Sequence, residues 1–187
     1  MKKIFYFDVE STGFNKIKND IVQLSGIIEV DGEVKEKFNF RCQPFDFENV
    51  EQGALDITGL TIKDLKGYEK PQEIYKKLIK MLGRYVNKFD RDDKFYPAGY
   101  NVNFDVDFLS EFFKKNGDVY YGSWFNWRLI DGLPMVHFLD YAGKINLSDH
   151  KLGTVCKHFG IDIKAHDAMS DIEATRNLLV KIRKELQ

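Results

Sequence analysis

The sequence has 187 residues, of which 43% are hydrophobic and 30% charged, and its formal net charge is −1. This length predicts a single domain over residues 1–187, with room for a substantial core. The near-neutral charge argues against a histone-like cationic binder. It does not exclude nucleic acid, because bound metal ions can supply positive charge locally.

Two features of the composition bear on the compartment. Cys42 and Cys156 are the only cysteines and lie far apart, which predicts reduced thiols rather than a disulfide framework. No segment approaches the roughly 18 apolar residues of a membrane span. We therefore expect a cytoplasmic protein with no membrane partner.

Three strands are predicted at the start of the chain. Residues 2–10, which contain an apolar run, are predicted as the first strand. The second, IVQLSGIIEV (21–30), leads into Asp31-Gly32, which is a hairpin turn signal. Residues 33–42 then alternate between apolar and polar as a third strand. The three strands are predicted to form an antiparallel meander.

Helices and further strands alternate in the rest of the chain. The spacing of apolar residues predicts strands at 95–101 and 119–131, and helices over 61–65, 71–86, 104–115, 133–143, 149–160 and 170–186. A meander followed by this alternation indicates an α/β fold in which helices pack on a mixed sheet.

Two acids lie at the end of the first predicted strand. Asp8 and Glu10 are two residues apart, so strand alternation places both side chains on one face, together with Ile4 and Tyr6. Two carboxylates on one face of a buried strand repel each other unless a cation lies between them. The alternative is that the strand has already ended and both acids are solvated in a loop, and the spacing is compatible with both.

Two other acids are predicted to face the interior. Asp105 precedes apolar residues at i+3, i+4 and i+7 of a predicted helix, so it should face the sheet, whereas Asp107 should be solvated. Asp171 lies at the edge of the packed face where the last predicted helix begins. Each has a simpler explanation, a helix-dipole interaction for Asp105 and an N-cap for Asp171. Four converging carboxylates would instead suit Mg²⁺ or Mn²⁺ rather than structural zinc.

Three motifs carry a resemblance to a known family. The stretches FDVESTG (7–13), YNVNFDVDFL (100–109) and HDAMSD (166–171) resemble the three motifs of the DEDDh (DnaQ-like) 3′→5′ exonucleases, a branch of the ribonuclease H-like superfamily. The resemblance spans roughly residues 4–180 and implies a ribonuclease H-like mixed sheet, an antiparallel meander plus parallel strands, flanked by helices. It maps the family's four acids and its histidine onto Asp8, Glu10, Asp105, Asp171 and His166.

The resemblance implies an enzyme, a phosphodiester hydrolase that removes nucleoside 5′-monophosphates from the 3′ end of nucleic acid, with single-stranded DNA favoured. Two divalent ions, Mg²⁺ or Mn²⁺, would bracket the scissile phosphate. Asp8 would bridge both ions, Glu10 and Asp171 would bind the ion beside the attacking water, and Asp105 would act at the other. His166 is implied as the general base, since an imidazole accepts a proton near neutral pH.

A substrate groove beside the acids is also implied. Residues 54–61, ALDITGLT, resemble the family's helix and turn beside the terminal nucleotide. Residues 10–13 are expected to meet the terminal sugar, with the main chain near Thr12 reaching the 3′-OH. Leu60 and Phe104 could equally be ordinary packing residues. The predicted substrate-binding residues are Ser11, Thr12, Gly13, Leu60, Asn101 and Phe104.

Three alternatives stay open. An exoribonuclease of the oligoribonuclease or ribonuclease T type would differ in its use of the 2′-OH. A catalytically silent nucleic-acid-binding module on the same fold is disfavoured by the intact acid set. The third is a polymerase-associated proofreading subunit. We expect a stand-alone enzyme instead, because the sequence ends directly after the last predicted helix, and nothing in it indicates a polymerase partner or an oligomeric state.

Overall fold

A computed structural model describes residues 2–164 and 168–185. In that part of the chain, five strands form one mixed sheet in the order β3-β2-β1-β4-β5. The first three strands are antiparallel, whereas β4 runs parallel to β1 and β5 parallel to β4. The predicted meander plus parallel strands is thereby confirmed. The strands are β1 Lys3–Ser11, β2 Ile21–Val30, β3 Glu33–Arg41, β4 Tyr96–Gly99 and β5 Ile130–Asp131.

Seven α-helices flank this sheet in the described part of the chain. They are α1 Gln52–Thr58, α2 Ile62–Gly67, α3 Pro71–Leu82, α4 Asn103–Lys115, α5 Gly132–Tyr141, α6 Leu152–His158 and α7 Ala168–Glu185. Several begin where the sequence predicts. Pro71 occupies the first turn of α3, and Thr61 forms a capping box with Asp64 at the start of α2.

Two predicted boundaries are wrong. The helix predicted over 71–86 ends at Leu82, and residues 83–85 continue as turns. The strand predicted over 119–131 is mostly irregular, with a 3₁₀ turn at Tyr121–Ser123 and only two residues in β5. In this segment Trp124 and Phe125 are buried, so core packing produces an apolar pattern that resembles a strand.

The main core lies on one face of the sheet, beneath α3 and α4. Phe5 is at its centre and is fully buried. Its ring centroid lies 5.2 Å from that of Phe38, 5.6 Å from that of Phe95 and 5.1 Å from that of Phe125. Such aromatic contacts add to the free energy gained by burying the rings.

The opposite face of the sheet is covered by α7. Tyr6 of β1 and Ala98 of β4 pack there against Ile172 and Leu179 of α7. The strand β1 therefore has apolar contacts on both faces and two strands beside it. It is the central strand of the sheet.

Both cysteines, Cys42 and Cys156, are buried free thiols. Burial raises the pKa of the Cys42 thiol to about 12, so it stays protonated at neutral pH. Within residues 2–164 and 168–185, no helix has the length and apolar character needed to cross a membrane.

Candidate active site

The strand β1 carries the first two acids inside its hydrogen-bonded length. Asp8 and Glu10 both pair with residues of β2, and the ladder shifts register only after Glu10. Both side chains are half-buried. The alternative that these acids are solvated in a loop beyond the strand is therefore wrong.

The third acid reaches β1 from the first turn of α4. Asp105 is 5% exposed, and its Oδ1 accepts a hydrogen bond of 3.0 Å from the Val9 main-chain N–H, between the two acids of β1. Asp107 is exposed on the other side of the helix and forms an ion pair of 2.7 Å with Lys16. The prediction that Asp105 faces inward and Asp107 faces solvent is confirmed.

A further acid, Asp131, holds the turn that precedes α4. The main-chain N–H of Asn101 donates to Asp131 Oδ1 at 2.8 Å, and Asn101 has a left-handed φ of 62°. The same oxygen caps α5 by accepting from the Leu133 N–H at 3.1 Å. Sequence reasoning missed Asp131. The sequence feature that could have identified it is an acid directly before the Gly-Leu-Pro with which a helix begins.

The fourth acid, Asp171, lies in the first turn of α7 and is half-buried. It lines a cavity of about 130 Å³ together with Asp8, Tyr100 and Leu152. Two of the predicted acids therefore meet at one cavity. His166 lies outside the described residues, so its predicted role stays a prediction.

The pKa shifts show that the acids share one electrostatic environment. Burial raises the pKa of Asp8 well above its usual range, and the charges of Asp105, Glu10 and Asp171 raise it further. Burial also raises the pKa of Asp105 to about 7, against the opposing effect of the Val9 hydrogen bond. Protonation of these carboxylates, or the binding of a cation beside them, is therefore favourable at this end of the sheet.

The donor set suits a hard divalent cation, because it consists of carboxylate oxygens and includes no thiolate. In the part of the chain that the structure describes, no three potential ligand side chains already surround one point at coordination distance. The acids are thus close enough to repel one another but are not closed around an ion. Their chemistry and their mutual repulsion fit a metal site.

The loop after β1 is tightly packed. Thr12 is 1% exposed, and its hydroxyl and main-chain N–H both bond to the main chain of Asp20 at 2.9 Å. Ser11 Oγ donates to the Gly13 carbonyl at 2.7 Å. A Cβ on Gly13 would lie 2.5 Å from atoms of Asn19 and Glu51. Thr12 therefore fixes the loop, and the contacts predicted for all three loop residues with substrate stay predictions.

An open groove extends from Glu10 along this loop. A cavity of about 100 Å³ is lined by Glu10, Gly13, Phe14 and Phe104 among others. The Phe14 ring is 75% exposed and meets the Phe104 ring edge-on at 6.4 Å. Sequence reasoning found Phe104 but missed Phe14. The sequence feature that could have identified Phe14 is a large apolar residue directly after the first motif.

The helix α1 borders the same groove through Ile57, which is 63% exposed. Leu60 lies beyond the end of α1 and is half-buried against a small cluster that includes Val22, Leu55 and Leu65. Of these two apolar residues, it is Ile57 that lines the groove. The predicted contact of Leu60 with bases stays a prediction. Asn101 is exposed beside the site.

Buried and half-buried carboxylates therefore lie beside an open, partly aromatic groove. The exonuclease family model matches residues 5–179, and the chain belongs to this family. The recognition of a DnaQ-like exonuclease of the ribonuclease H-like superfamily is thereby confirmed.

Solved structures of exonuclease I share the fold over the whole chain. The Escherichia coli exonuclease I complex with a dT13 oligonucleotide superposes with a TM-score of 0.78 at 24% identity, and the match covers 100% of this chain and 42% of that one. The zinc-bound form of the E. coli exonuclease I–ssDNA complex gives a TM-score of 0.79 at 25% identity, again over 42% of that chain. The ribonuclease H-like fold class is confirmed.

Curated relatives include polymerases. A DNA polymerase III of the PolC type from Halalkalibacterium halodurans is 31% identical over 180 residues, and one from Bacillus subtilis is 29% identical. These matches cover 96% of this chain but only 11% of each polymerase. The chain thus spans about a tenth of the polymerases and less than half of exonuclease I.

Proposed function

We propose that this protein is a metal-dependent 3′→5′ exonuclease that releases nucleoside 5′-monophosphates, with single-stranded DNA as its substrate. The observation that carries the proposal is the meeting of two half-buried acids of β1 with the buried Asp105 of α4, beside an open groove. Membership of the exonuclease family supports hydrolysis of a phosphodiester bond as the reaction.

Four side chains would hold the metal ions, namely Asp8, Glu10, Asp105 and Asp171. Bound Mg²⁺ or Mn²⁺ would activate the attacking water and stabilise the leaving 3′ oxygen. The protein's contribution is orientation, since the Val9 N–H fixes the Asp105 carboxylate at 3.0 Å. Repulsion among the four carboxylates makes the binding of a cation more favourable.

His166 would accept the proton of the attacking water as the general base. We expect His166→Ala to lower kcat by about 10²–10⁴-fold, the usual contribution of a general base, while leaving metal affinity nearly unchanged. Single-turnover kinetics and metal titration by calorimetry measure the two effects separately. Unchanged turnover in this variant would remove His166 from the mechanism.

The groove would bind the 3′-terminal nucleotides by stacking. Phe14 presents an exposed ring edge-on to Phe104, and aromatic rings accept any base. Exonuclease I has been crystallised with single-stranded DNA, which supports the same strand form here. The terminal sugar would be positioned by Ser11, Thr12, Gly13 and Asn101.

A second candidate is proofreading within a polymerase, and the PolC-type relatives favour it. In that case the same site would shorten a primer strand whose 3′ end has frayed. We further propose that residues 1–187 form one exonuclease domain that acts in the cytoplasm, in line with its two buried free thiols.

The test compares single-stranded DNA, double-stranded DNA and single-stranded RNA of equal length, each labelled at the 5′ end, with Mg²⁺, Mn²⁺ or EDTA. We expect a ladder shortening from the 3′ end of single-stranded DNA, abolished by EDTA and by Asp8→Asn. Faster shortening of RNA would select the exoribonuclease alternative. Absence of metal-dependent shortening on all three substrates would refute the enzyme proposal.

A further inference from the structure

A second cleft lies at the opposite end of β1 from the acids. Its volume is about 540 Å³, within the range of about 300–1,000 Å³ typical of small-molecule sites. It opens between the start of β1, the edge strand β5 and the C-terminal half of α7. Its apolar walls include Ile4, Ile130, Met135 and Leu179. Ile4 and Asp8 are four residues apart, about 13 Å along the strand.

One polar group lies among these apolar walls. Tyr6 is 4% exposed and lines this cleft as well as the cavity that holds Asp8. Within the described residues its hydroxyl has no hydrogen-bond partner. Because Tyr6 lines the cleft and its hydroxyl has no partner among the described residues, a ligand in the cleft could accept its hydrogen bond.

The charges at the rim favour an anion. Glu29 is paired with Arg176 at 2.6 Å, and Asp31 accepts a hydrogen bond from the Lys2 main-chain N–H at 2.8 Å. Glu29 is thus paired with a cation, whereas Asp31 stays an anion, so Lys2, Arg183 and Asp31 together leave one net positive charge at the cleft. The side chains of Lys2 and Arg183 are exposed at the cleft and form no ion pair within residues 2–164 and 168–185.

We propose that this cleft binds a small amphiphile with one carboxylate group. The carboxylate would lie between Lys2 and Arg183 and accept a hydrogen bond from the Tyr6 hydroxyl. The apolar body would lie along Ile4, Met135 and Leu179, where it would gain the free energy of leaving water. None of the residues proposed to hold metal or to bind nucleic acid takes part.

Sodium decanoate is the probe, and decanol is its uncharged counterpart. Calorimetric titration of the full chain, without metal or nucleic acid and below the micelle-forming concentration, should show saturable one-to-one binding of decanoate. Decanol should bind at least about tenfold more weakly, because it lacks the charge that Arg183 and Lys2 attract. Since no nuclease assay is involved, the outcome is independent of the proposed function.

Three variants locate the binding. Arg183→Glu should weaken decanoate binding at least about tenfold, and Tyr6→Phe about fivefold, which corresponds to one lost hydrogen bond. Lys184→Glu is the matched control, since Lys184 is exposed but does not line the cleft. It should change the affinity less than about twofold.

Three results would overturn the proposal: no saturable binding of decanoate, equal affinity for decanol, or equal effects of Arg183→Glu and Lys184→Glu. Circular dichroism and thermal midpoints show whether each variant is folded. Tyr6→Phe keeps the size and shape of the ring, so it tests the hydroxyl even where a charge reversal perturbs the helix.

Discussion

The two faces of β1 differ sharply in what they contribute. On one face, Phe5 and Phe7 are buried in the main core, where Phe5 also contacts three further aromatic rings. On the other face, Asp8 and Glu10 follow Tyr6 and meet carboxylates from α4 and α7. Nine consecutive residues therefore supply both the centre of the hydrophobic core and the centre of the candidate active site.

The face with Phe5 and Phe7, here the aromatic face, and the face with Asp8 and Glu10, here the acid face, show how the fold holds an energetically unfavourable site. Burying an aromatic ring stabilises the chain, whereas burying a carboxylate beside others is unfavourable. A strand that is fixed by its apolar face and by two neighbouring strands can hold acids close together on its other face. We infer that the aromatic face provides the rigidity that the acid face requires.

The largest effect expected is on the aromatic face. Phe5→Ala should lower the free energy of unfolding by about 3–5 kcal/mol, because it removes a fully buried ring with four aromatic neighbours. Urea denaturation measures the change. The control is Phe89→Ala, whose ring is 88% exposed and whose loss should have little effect. Equal effects of the two variants would contradict the contrast between the faces.

The second-largest effect is expected on the acid face, as a dependence of the free energy of unfolding on pH. Folding raises the pKa of Asp105 from 3.8 to about 7, so the folded protein holds this proton more tightly than the unfolded chain. In EDTA the free energy of unfolding should therefore fall as the pH rises from about 4 through about 7. Asp105→Asn should reduce this fall by about 2–4 kcal/mol.

The control for that experiment lies in the same helix. Asp107→Asn changes an exposed acid and should leave the pH dependence as in the native protein. Added Mg²⁺ should stabilise the native protein most at higher pH, where the carboxylates are charged. A native protein that gains stability with pH in EDTA would contradict the repulsion that we assign to the acid face.

A smaller effect is expected in the groove that continues from the acids. Phe14→Ala should raise KM for single-stranded DNA about tenfold and change kcat little, since it removes one stacking surface. Steady-state kinetics on oligonucleotides measure both constants. Phe89→Ala again serves as the exposed aromatic control. A fall in kcat alone would place Phe14 in the chemistry rather than in binding.

The smallest effect is predicted for Asp107, two residues from Asp105. Asp107→Asn should leave kcat/KM within about twofold of the native value, because its ion pair with Lys16 is exposed. The same assay as for Phe14→Ala applies. A large loss would mean that the helical faces of α4 have been assigned to the wrong acids.

Local periodicity alone determined much of this protein. Alternation along β1 placed Asp8 and Glu10 on one face, and helical spacing separated Asp105 from Asp107. Both rules depend only on residues a few positions apart, so they can be read from the sequence. The same periodicity failed at 119–131, where buried aromatic residues in irregular structure produced the pattern of a strand.

Only the tertiary structure decided which distant groups meet. The hydrogen bond from Val9 to Asp105 spans 96 residues, and that from Asn101 to Asp131 spans 30. The position of Tyr6 between two cavities likewise depends on how α7 packs on the sheet. Local sequence sets which way a side chain points, but the packing of whole elements sets what it touches.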